Sequence, residues 1–395
     1  MRLVHNFLIF LQIAWLAALC YIFSFLYYSN FNTPWQHFSS LTESFLVGRF
    51  DITDTITHDL VLVNGKYYWP NGPFPSVFLM PFQAVFIDGF NQWHGQLVAI
   101  IGIFLLLYFL ARNRAFSTLD SIFLGCVFLF GSIAIPLLIH PKSWFFSQVI
   151  AILLLLASLL EWETKRRPFV LGILLGCIFA TRPTAGIIGL AFVALWLRTH
   201  EVWAQKIQKI VTFCIPILLS GMLLLAYNYV RFGALLDNGY TTNDVGPVSE
   251  PLRQIGVFST EHIPMNFYWY FVASLTPITD GTAHLIYPYY SYSVWGLSLF
   301  VIAPFFLYSF RTFISRNVQI RSYWLVILGT LALLLMYFNT GWVSYGPRYA
   351  ADFFPILYVL LLYSFARHSL SHSHRFLILI SCSINLYLLF TTPII

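Results

Sequence analysis

Residues 41–82 read LTESFLVGRFDITDTITHDLVLVNGKYYWPNGPFPSVFLMPF, and this stretch decides how the rest of the chain is interpreted. It lies within residues 31–92, the longest segment between runs that are apolar enough to cross a membrane. It contains the carboxylates Glu43, Asp51, Asp54 and Asp59, and an aromatic and proline-rich block, residues 67–73, follows them. Binding and catalytic residues concentrate on loops that a rigid scaffold positions. The stretch is therefore predicted to contain a functional site.

The surrounding sequence is too apolar for a water-soluble protein. Of the 395 residues, 59% are hydrophobic and 9% are charged, whereas soluble domains carry about 25% charged residues. A membrane-spanning helix needs about 20 predominantly apolar residues, and the chain has many such runs. The fold class is predicted to be an all-α polytopic membrane protein, with a single transmembrane domain over residues 1–395.

About eleven membrane-spanning helices are predicted from the apolar runs. The first is an uncleaved span near the N-terminus, and the set is residues 7–28, 93–111, 117–138, 145–161, 168–181, 183–198, 210–230, 290–310, 322–338, 352–366 and 376–392. Residues 73–87 are also apolar, but they are few and are interrupted by Pro75 and Pro81. They are predicted to form a helix that lies at the membrane surface.

The placement of basic residues predicts the orientation of the chain. With the N-terminus in the cytoplasm, most of the 21 Lys and Arg residues fall in cytoplasmic turns, and most acidic residues fall on the other side. Counting residues 73–87 as a span would reverse every later turn. The prediction is a multi-pass inner (plasma) membrane protein with three large extracytoplasmic segments, residues 31–92, 231–289 and 339–351.

The short cytoplasmic turns carry no glycine pattern of a P-loop or a Rossmann fold. A donor other than a cytosolic nucleotide is therefore expected, as is the absence of a nucleic-acid partner. The five cysteines lack the paired spacing of a metal site or a disulfide framework. No metal site is predicted and no cofactor is required by the sequence, although a divalent cation remains compatible with it.

The carboxylates of the first large loop are the candidate catalytic groups. Glu43, Asp51 and Asp59 are predicted to supply a general base, which would remove a proton from an acceptor group. Asp51 and Asp54 are three residues apart, so a helix would place them on one face. The alternative interpretation is an acidic loop that is simply solvated.

Cationic side chains near the predicted ends of spans are the candidate phosphate ligands. Arg348, Arg182 and Arg231 are suggested by the planar, bidentate geometry of guanidinium groups, and His140 with Lys142 could meet a diphosphate or a sugar. The alternative is that these residues anchor the chain at the lipid headgroups. Among the many aromatic residues, Tyr67, Tyr68 and Tyr345 are predicted to contact substrate by stacking on sugar rings.

The order of these segments resembles that of a known superfamily. The segments are residues 43–51 (ESFLVGRFD), Asp59 with residues 64–68 (NGKYY), residues 181–184 (TRPT), residues 228–233 (NYVRFG) with Gly239 and Tyr240, and residues 345–349 (YGPRY). In this order and spacing the chain resembles bacterial members of the GT-C superfamily, integral membrane glycosyltransferases related to protein mannosyltransferases and lipid A aminoarabinose transferases. The likeness covers most of the chain in layout, and no single motif is specific.

The resemblance implies an inverting transfer of a hexosyl or pentosyl group from a polyprenyl-phosphate-linked sugar to a glycan, lipid or protein acceptor. A loop carboxylate would act as base, and an arginine such as Arg348 would stabilise the departing phosphate. One departure stands out. Matching the relatives' conserved loop glutamate to Glu43 places His37, or the neighbouring Gln36, where those relatives have a catalytic aspartate. Asp59 or Asp51 would then have to take that role.

Two other function classes remain open from the sequence. The first is a transporter or flippase of lipid-linked sugars, which would be expected to carry ionisable residues in mid-membrane or two repeated halves. Neither feature is evident in the chain. The second is a non-catalytic subunit of a polymerase or an assembly partner.

Overall fold

A computed structural model describes residues 2–31, 33–53, 57–86, 89–341, 344–365 and 367–391. Asp54, one of the four loop carboxylates, lies outside the described residues. The described chain is mostly helical. Its α-helices, in order, are α1 Arg2–Ser29, α2 His37–Leu46, α3 Phe74–Phe86, α4 Gln92–Asn113, α5 Thr118–Phe130, α6 Ala134–Ile139, α7 Ser143–Thr164, α8 Pro168–Phe179, α9 Ile188–Leu197, α10 Trp203–Phe232, α11 Gly246–Ile255, α12 Ile263–Phe267, α13 Leu299–Ile302, α14 Val318–Met336, α15 Phe354–Ser364 and α16 His372–Thr391.

Six of the described helices (α1, α4, α7, α10, α14 and α16) are long and apolar enough to cross a membrane, and each falls on a predicted span. Four further predicted spans correspond to shorter apolar helices, which include α5, α8 and α15. In the fourth, residues 183–198, the 3₁₀ helix Pro183–Ile187 leads directly into α9. The chain is therefore a helical membrane protein, as predicted, while the total of about eleven spans stays a prediction.

Residues 290–310 do not form the continuous helix that the sequence predicts. A strand ends at Ser291, α13 is four residues long, and a 3₁₀ helix, Pro304–Thr312, follows it. Gly296 adopts φ +93° here and lies so close to Gly346 that a Cβ atom would be 2.6 Å from its Cα. Pro304, which has no backbone N–H to donate, begins the 3₁₀ helix.

Helix α7 is the centre of the bundle. In its apolar window 78% of the residues are buried, against 17% in α10 and 22% in α1. A helix that is hydrophobic on all sides is stable only when it is surrounded by protein or lipid. Helix α7 packs against α4, α8 and α15, whereas the exposed apolar surfaces of α1 and α10 fit contact with lipid.

The helices meet at two ends that differ in character. At one end, here called the turn end, short connections such as residues 114–117 and 165–167 join the helices. Arg375 pairs there with Asp120 at 2.8 Å, and Tyr323 donates a hydrogen bond to Glu163 at 2.9 Å. At the opposite end, here called the loop end, lie the long segments 30–91 and 233–298 and the connection 337–347. The large predicted loops thus share one end of the bundle.

Two hairpins shape the loop end. Strands β1 Val61–Val63 and β2 Lys66–Tyr68 pair in antiparallel register, with Val61 opposite Tyr68. Asn64 (φ +50°) and Gly65 (φ +75°) form the turn, and two positive φ values are what a two-residue type I′ hairpin requires. Strands β3 Thr276–Thr279 and β4 Leu285–Ser291 form the second hairpin.

Helices α2 and α3 anchor the first loop to the bundle. The hydroxyl of Ser76 donates to the carbonyl of Phe38 at 3.0 Å, and that of Thr42 donates to the carbonyl of Ser76 at 3.1 Å. His37, the first residue of α2, stacks on Trp69 with ring centroids 4.3 Å apart, and its backbone N–H donates to Ser143 at 2.9 Å. Helix α3 is present where a surface helix is predicted, and its 13 residues are too few to cross about 30 Å of hydrocarbon.

Candidate active site

A cavity of about 930 Å³ opens at the loop end between the first loop, α7, α10, α14 and the segment that precedes α15. The lining of this first cavity is both polar and apolar. Its charged residues are Asp59, Lys142, Arg182, Arg231 and Arg348. Its apolar residues include Phe179, Leu224, Leu334, Phe258 and Phe338. Its size falls within the range that small-molecule sites occupy, about 300–1,000 Å³.

Asp59 is the carboxylate that reaches the first cavity. The indole N–H of Trp144 donates to its Oδ2 at 2.5 Å, and the side-chain amide of Asn243 lies 3.4 Å from its Oδ1. Its backbone N–H donates to the carbonyl of Asp244 at 3.1 Å, which holds the residue at φ +62°. A non-glycine residue is rarely found in this left-handed region.

Burial raises the pKa of the Asp59 carboxyl, and this effect exceeds the opposing influence of His58, Trp144 and Arg348. Its side chain is 15% exposed, so the group remains open to a ligand in the cavity. A carboxylate with a raised pKa accepts a proton more readily than an ordinary aspartate does. Its raised pKa and its place in a cavity keep Asp59 as the candidate general base.

Arg348 begins the 3₁₀ helix Arg348–Asp352 and is 9% exposed. Its Nε atom has no hydrogen-bond partner among the residues that the structure describes, and its guanidinium carbon lies 5.1 Å from the centre of the Phe145 ring. Gly341 packs directly against it, because a Cβ atom on Gly341 would lie 2.4 Å from the Arg348 side chain. Buried charges are normally paired, so this guanidinium is well suited to receive an anionic ligand.

Lys142 lines the same cavity, at the start of α7. Burial lowers its pKa, and the positive charge of Arg348 lowers it further. An anion bound between the two side chains would oppose both effects, because it would favour the charged form of Lys142. His140 is buried nearby but does not line the cavity. Burial lowers the pKa of His140 to about 3, so its ring is neutral at physiological pH.

The other two arginines of the cavity already have partners. Arg182 forms a two-point ion pair with Asp352, at 2.6 Å and 2.9 Å, and Thr184 also donates to that carboxylate. Arg231 donates to the carbonyl of Trp69 at 2.7 Å and to the side chain of Asn228 at 2.9 Å. Arg182 and Arg231 therefore shape the wall and add positive potential, while Arg348 and Lys142 are the more available donors.

The remaining candidate residues lie outside the first cavity. Asp51 faces Arg49 at 3.3 Å and Lys66 at 3.7 Å, and Glu43 is exposed on α2. Tyr345 is fully buried, and its hydroxyl donates to Asn385 at 2.8 Å. Tyr68 packs edge-on against Phe232.

Tyr67 lines a second, more open cavity of about 640 Å³, between the first hairpin and α11. The predicted substrate-contacting tyrosines are therefore not grouped at one place. Of the three, Tyr67 is the one whose side chain borders a described cavity.

Several residues of the site were not predicted as site residues, although Tyr240 belongs to one of the segments that carry the resemblance. Asn243 contacts Asp59, Asp352 neutralises Arg182, and the hydroxyls of Tyr240 and Tyr337 bond to each other in the cavity wall. The polar run DNGYTTND, residues 237–244, was the available signal for Asn243 and Tyr240. Asp352 was marked only by its place four residues after Arg348, inside an apolar segment where an ionised carboxylate needs a partner.

The charge of the first cavity favours an anion. Four cationic side chains line it, and the described carboxylates that compensate them are Asp59 and, behind Arg182, Asp352. Positive charge in a low-dielectric wall raises the local concentration of anionic ligands. Among the residues that the structure describes, no three His, Cys, Asp or Glu side chains form a group that could hold a metal ion.

Two solved structures are similar to this chain. One is ArnT from Cupriavidus metallidurans in the apo state, with 13% identity and a TM-score of 0.49 over 91% of this chain and 60% of that one. The other is the apo form of the Archaeoglobus fulgidus oligosaccharyltransferase, with 13% identity and a TM-score of 0.47. The similarity covers 96% of this chain and 55% of that one.

The chain spans less than two thirds of the length of either structure. No family model matches the chain, and no curated protein matches it. At 13% identity and these TM-scores, what the chain does has to be inferred from the side chains of the first cavity.

Proposed function

We propose that the protein is a membrane glycosyltransferase that moves a sugar from a polyprenyl-phosphate donor to a hydroxyl acceptor, with inversion at the anomeric carbon. The observation that carries this proposal is the meeting of Asp59 and Arg348 in the first cavity. One is a carboxylate whose pKa is raised by burial. The other is a buried guanidinium whose Nε has no hydrogen-bond partner within the described chain. Together they supply a base and an anion ligand, which such a transfer requires.

The donor fits the mixed lining of the cavity. Its phosphate would lie between Arg348 and Lys142, because charge-assisted hydrogen bonds from a guanidinium to phosphate are among the strongest in proteins. Its polyprenyl tail would pass the apolar residues Phe179, Leu224 and Leu334, which belong to α8, α10 and α14. The apolar window of helix α10 is only 17% buried, so a tail leaving the cavity along this helix would enter the bilayer directly.

The proposed reaction is one displacement at the anomeric carbon. Asp59 takes the proton of the acceptor hydroxyl as that oxygen forms its bond to the carbon. The bond from the carbon to the phosphate oxygen breaks on the opposite face, and its electron pair leaves with the polyprenyl phosphate. The charge that develops there is stabilised by Arg348, which is already in place before reaction. General base catalysis of this kind contributes about 10²–10⁴ in rate.

The proposal places the loop end on the extracytoplasmic face. The turn end carries basic residues such as Arg112, Lys165 and Arg316, which the positive-inside rule assigns to the cytoplasm. The protein would then act in the plasma membrane with its N-terminus inside, on a donor whose sugar already faces outward.

Binding of unsubstituted polyprenyl phosphate to the purified protein tests the donor site. Arg348→Ala is expected to weaken this binding about tenfold to a hundredfold, since hydrogen bonds to charged groups contribute about 1.5–3 kcal/mol. Arg49→Ala is the matched control, because Arg49 is half-exposed and pairs with Asp51 outside the cavity. Equal affinities for the two variants would contradict the assignment of Arg348.

Turnover separates a transferase from a flippase of lipid-linked sugars. A panel of polyprenyl-phosphate hexoses and pentoses is incubated with the purified protein. Membranes of the cell that naturally produces the protein, with the gene for this protein deleted, are added as the source of acceptor. A transferase releases free polyprenyl phosphate and labels an acceptor. Binding of the lipids without any release of polyprenyl phosphate would overturn the proposal and favour the flippase.

A further inference from the structure

The second cavity is separate from the first and has a different lining. Its volume is about 640 Å³, and it lies between the first hairpin and the start of α11. Tyr67 and Leu62 contribute from the hairpin, and Asp244, Glu250 and Arg253 contribute from the opposite side. It is the more open of the two cavities, and polar and charged residues make up most of its lining.

We propose that this second cavity is the acceptor subsite, and that it takes the hydroxyl-bearing end of a carbohydrate. This proposal rests on the transferase function proposed above and names the chemistry of its second substrate. It assigns a role in binding to α11, and it gives the acceptor as the substrate that Tyr67, predicted from the sequence to contact a sugar, would meet.

The two cavities meet at the candidate base. Residues 57–60 form the partition: His58 and Asp59 line the first cavity, and Thr57 and Leu60 line the second. Asn243 lines both, and it is 3% exposed. An acceptor in the second cavity would therefore lie beside the segment that carries Asp59, and Asn243 would border both substrates.

A hydrogen-bonded chain connects the second cavity to Asp59. Glu250 pairs with Arg253 at 2.5 Å, and Arg253 donates to the side-chain oxygen of Asn243 at 3.0 Å. That bond fixes the orientation of the amide, so its nitrogen faces Asp59 at 3.4 Å. A ligand at the Glu250 and Arg253 side chains would thus be recognised by the same network that orients the base.

The lining chemistry selects a carbohydrate. Sugars present hydroxyls that both donate and accept, and a carboxylate beside a guanidinium offers both partners in one plane. The half-buried ring of Tyr67 gives an apolar surface on which the C–H face of a sugar can stack. The mixed charge of Glu250, Asp244 and Arg253 and the open access suit a hydrated group rather than a lipid tail.

Chemical occlusion of the second cavity tests the proposal without knowledge of the acceptor. Leu62→Cys is made in a cysteine-free background, since the Leu62 side chain lines the cavity and is 59% exposed. The protein is treated with a charged, bulky methanethiosulfonate. Leu236→Cys is the matched control, because Leu236 is 89% exposed and lines neither cavity. Sugar transfer to the gene-deleted membranes and binding of polyprenyl phosphate are measured before and after labelling.

The expected result is that labelled Leu62→Cys loses at least tenfold in transfer while its affinity for polyprenyl phosphate changes less than twofold. Labelled Leu236→Cys is expected to keep both. Unchanged transfer after complete labelling at position 62 would overturn the subsite, as would an equal loss of phosphate binding. If the unlabelled wild-type protein transfers no sugar from any donor, the proposed function itself fails, and the subsite falls with it.

Discussion

At the scale of single residues, the structure separates carboxylates that look alike in the sequence. Asp51 and Asp59 both lie in the first loop, eight positions apart. Asp51 faces two exposed cations, Arg49 and Lys66, on the hairpin side. Asp59 turns into the first cavity because Asp244 holds its backbone and Trp144 holds its carboxylate. Long-range contacts make this distinction, so the local sequence could nominate both residues but could not rank them.

Asp59→Asn is expected to reduce sugar transfer by at least about 10²-fold, since the amide cannot accept the acceptor proton. Binding of polyprenyl phosphate should persist or tighten, because a negative charge near Arg348 is removed. Asp51→Asn should keep most activity, since Asp51 does not line the first cavity and pairs with the exposed side chains of Arg49 and Lys66. Transfer rates and phosphate affinities of the two variants check this, and full activity of Asp59→Asn would refute the base.

The pH profile of transfer is expected to depend on Asn243. The base must be ionised to act, so activity should rise with pH through the pKa of Asp59, which burial raises above that of an ordinary aspartate. Asn243→Ala removes a donor to the ionised carboxylate, so the pKa should rise further and the acid limb should move to higher pH. The rate at high pH should fall less than the rate at low pH.

Asn238→Ala is the control for that profile, because Asn238 lines the same cavity but has no described bond to Asp59. It should leave the acid limb in place. An identical profile for Asn243→Ala and the wild type would show that the amide does not set the ionisation of Asp59.

At the scale of elements, short irregular segments position the site, and the long helices support them. The 3₁₀ helices Pro183–Ile187 and Arg348–Asp352 are joined by the ion pair of Arg182 with Asp352. The side chain of Asp352 is fully buried, and removing one member of a buried pair costs about 3–5 kcal/mol. This link fixes the segment from which Arg348 reaches the cavity.

Local sequence signals explain part of this level. The Asn-Gly pair at residues 64–65 is the usual signal of a two-residue hairpin, and the structure has that hairpin. Asn64 and Gly65 also belong to the NGKYY segment, one of those in which the chain resembles the GT-C superfamily. Residues 290–310 contain Gly296 and Pro304, which were available as signals of a break, whereas the contact of Gly296 with the distant Gly346 could not be read from the sequence.

The segment before Arg348 is expected to control phosphate binding through Gly341. This glycine has φ +99°, and an added Cβ would collide with the Arg348 side chain at 2.4 Å. Gly341→Ala should therefore weaken binding of polyprenyl phosphate although Arg348 is retained. Gly281→Ala is a matched control, since Gly281 has φ +90° and nothing within 4 Å of the added atom. Gly281→Ala should be strained in its backbone to a similar degree and keep its affinity for polyprenyl phosphate. An equal loss of affinity in both variants would contradict a role for Gly341 in positioning Arg348.

At the scale of the whole molecule, composition alone was sufficient to predict a helical membrane protein. Only 9% of the residues are charged, too few to cover a surface that faces water. Six described helices are long and apolar enough to cross a membrane. Asp59, Lys142, Arg182, Arg231 and Arg348 belong to the larger set of site residues predicted from the sequence, and these five line one cavity. The ion pair of Arg182 could not be predicted, since Asp352 had no distinguishing pattern in the sequence.

The orientation of the bundle is open to a direct test. Leu236→Cys lies at the loop end and Ile314→Cys at the turn end, and the native side chains are 89% and 87% exposed. In intact cells, a membrane-impermeant thiol reagent is expected to label position 236 and not position 314. After permeabilisation both should react. Labelling of position 314 in intact cells would place the first cavity on the cytoplasmic side.

The most direct test of the central claim is an experimental density map of the protein with bound polyprenyl phosphate, determined by cryo-electron microscopy. The phosphate is expected within hydrogen-bonding distance of Arg348 and Lys142, in the cavity that contains Asp59, with the polyprenyl chain running toward Leu224 and Leu334. Density for the phosphate at any other place, with Arg348 and Lys142 unoccupied by it, would contradict the account.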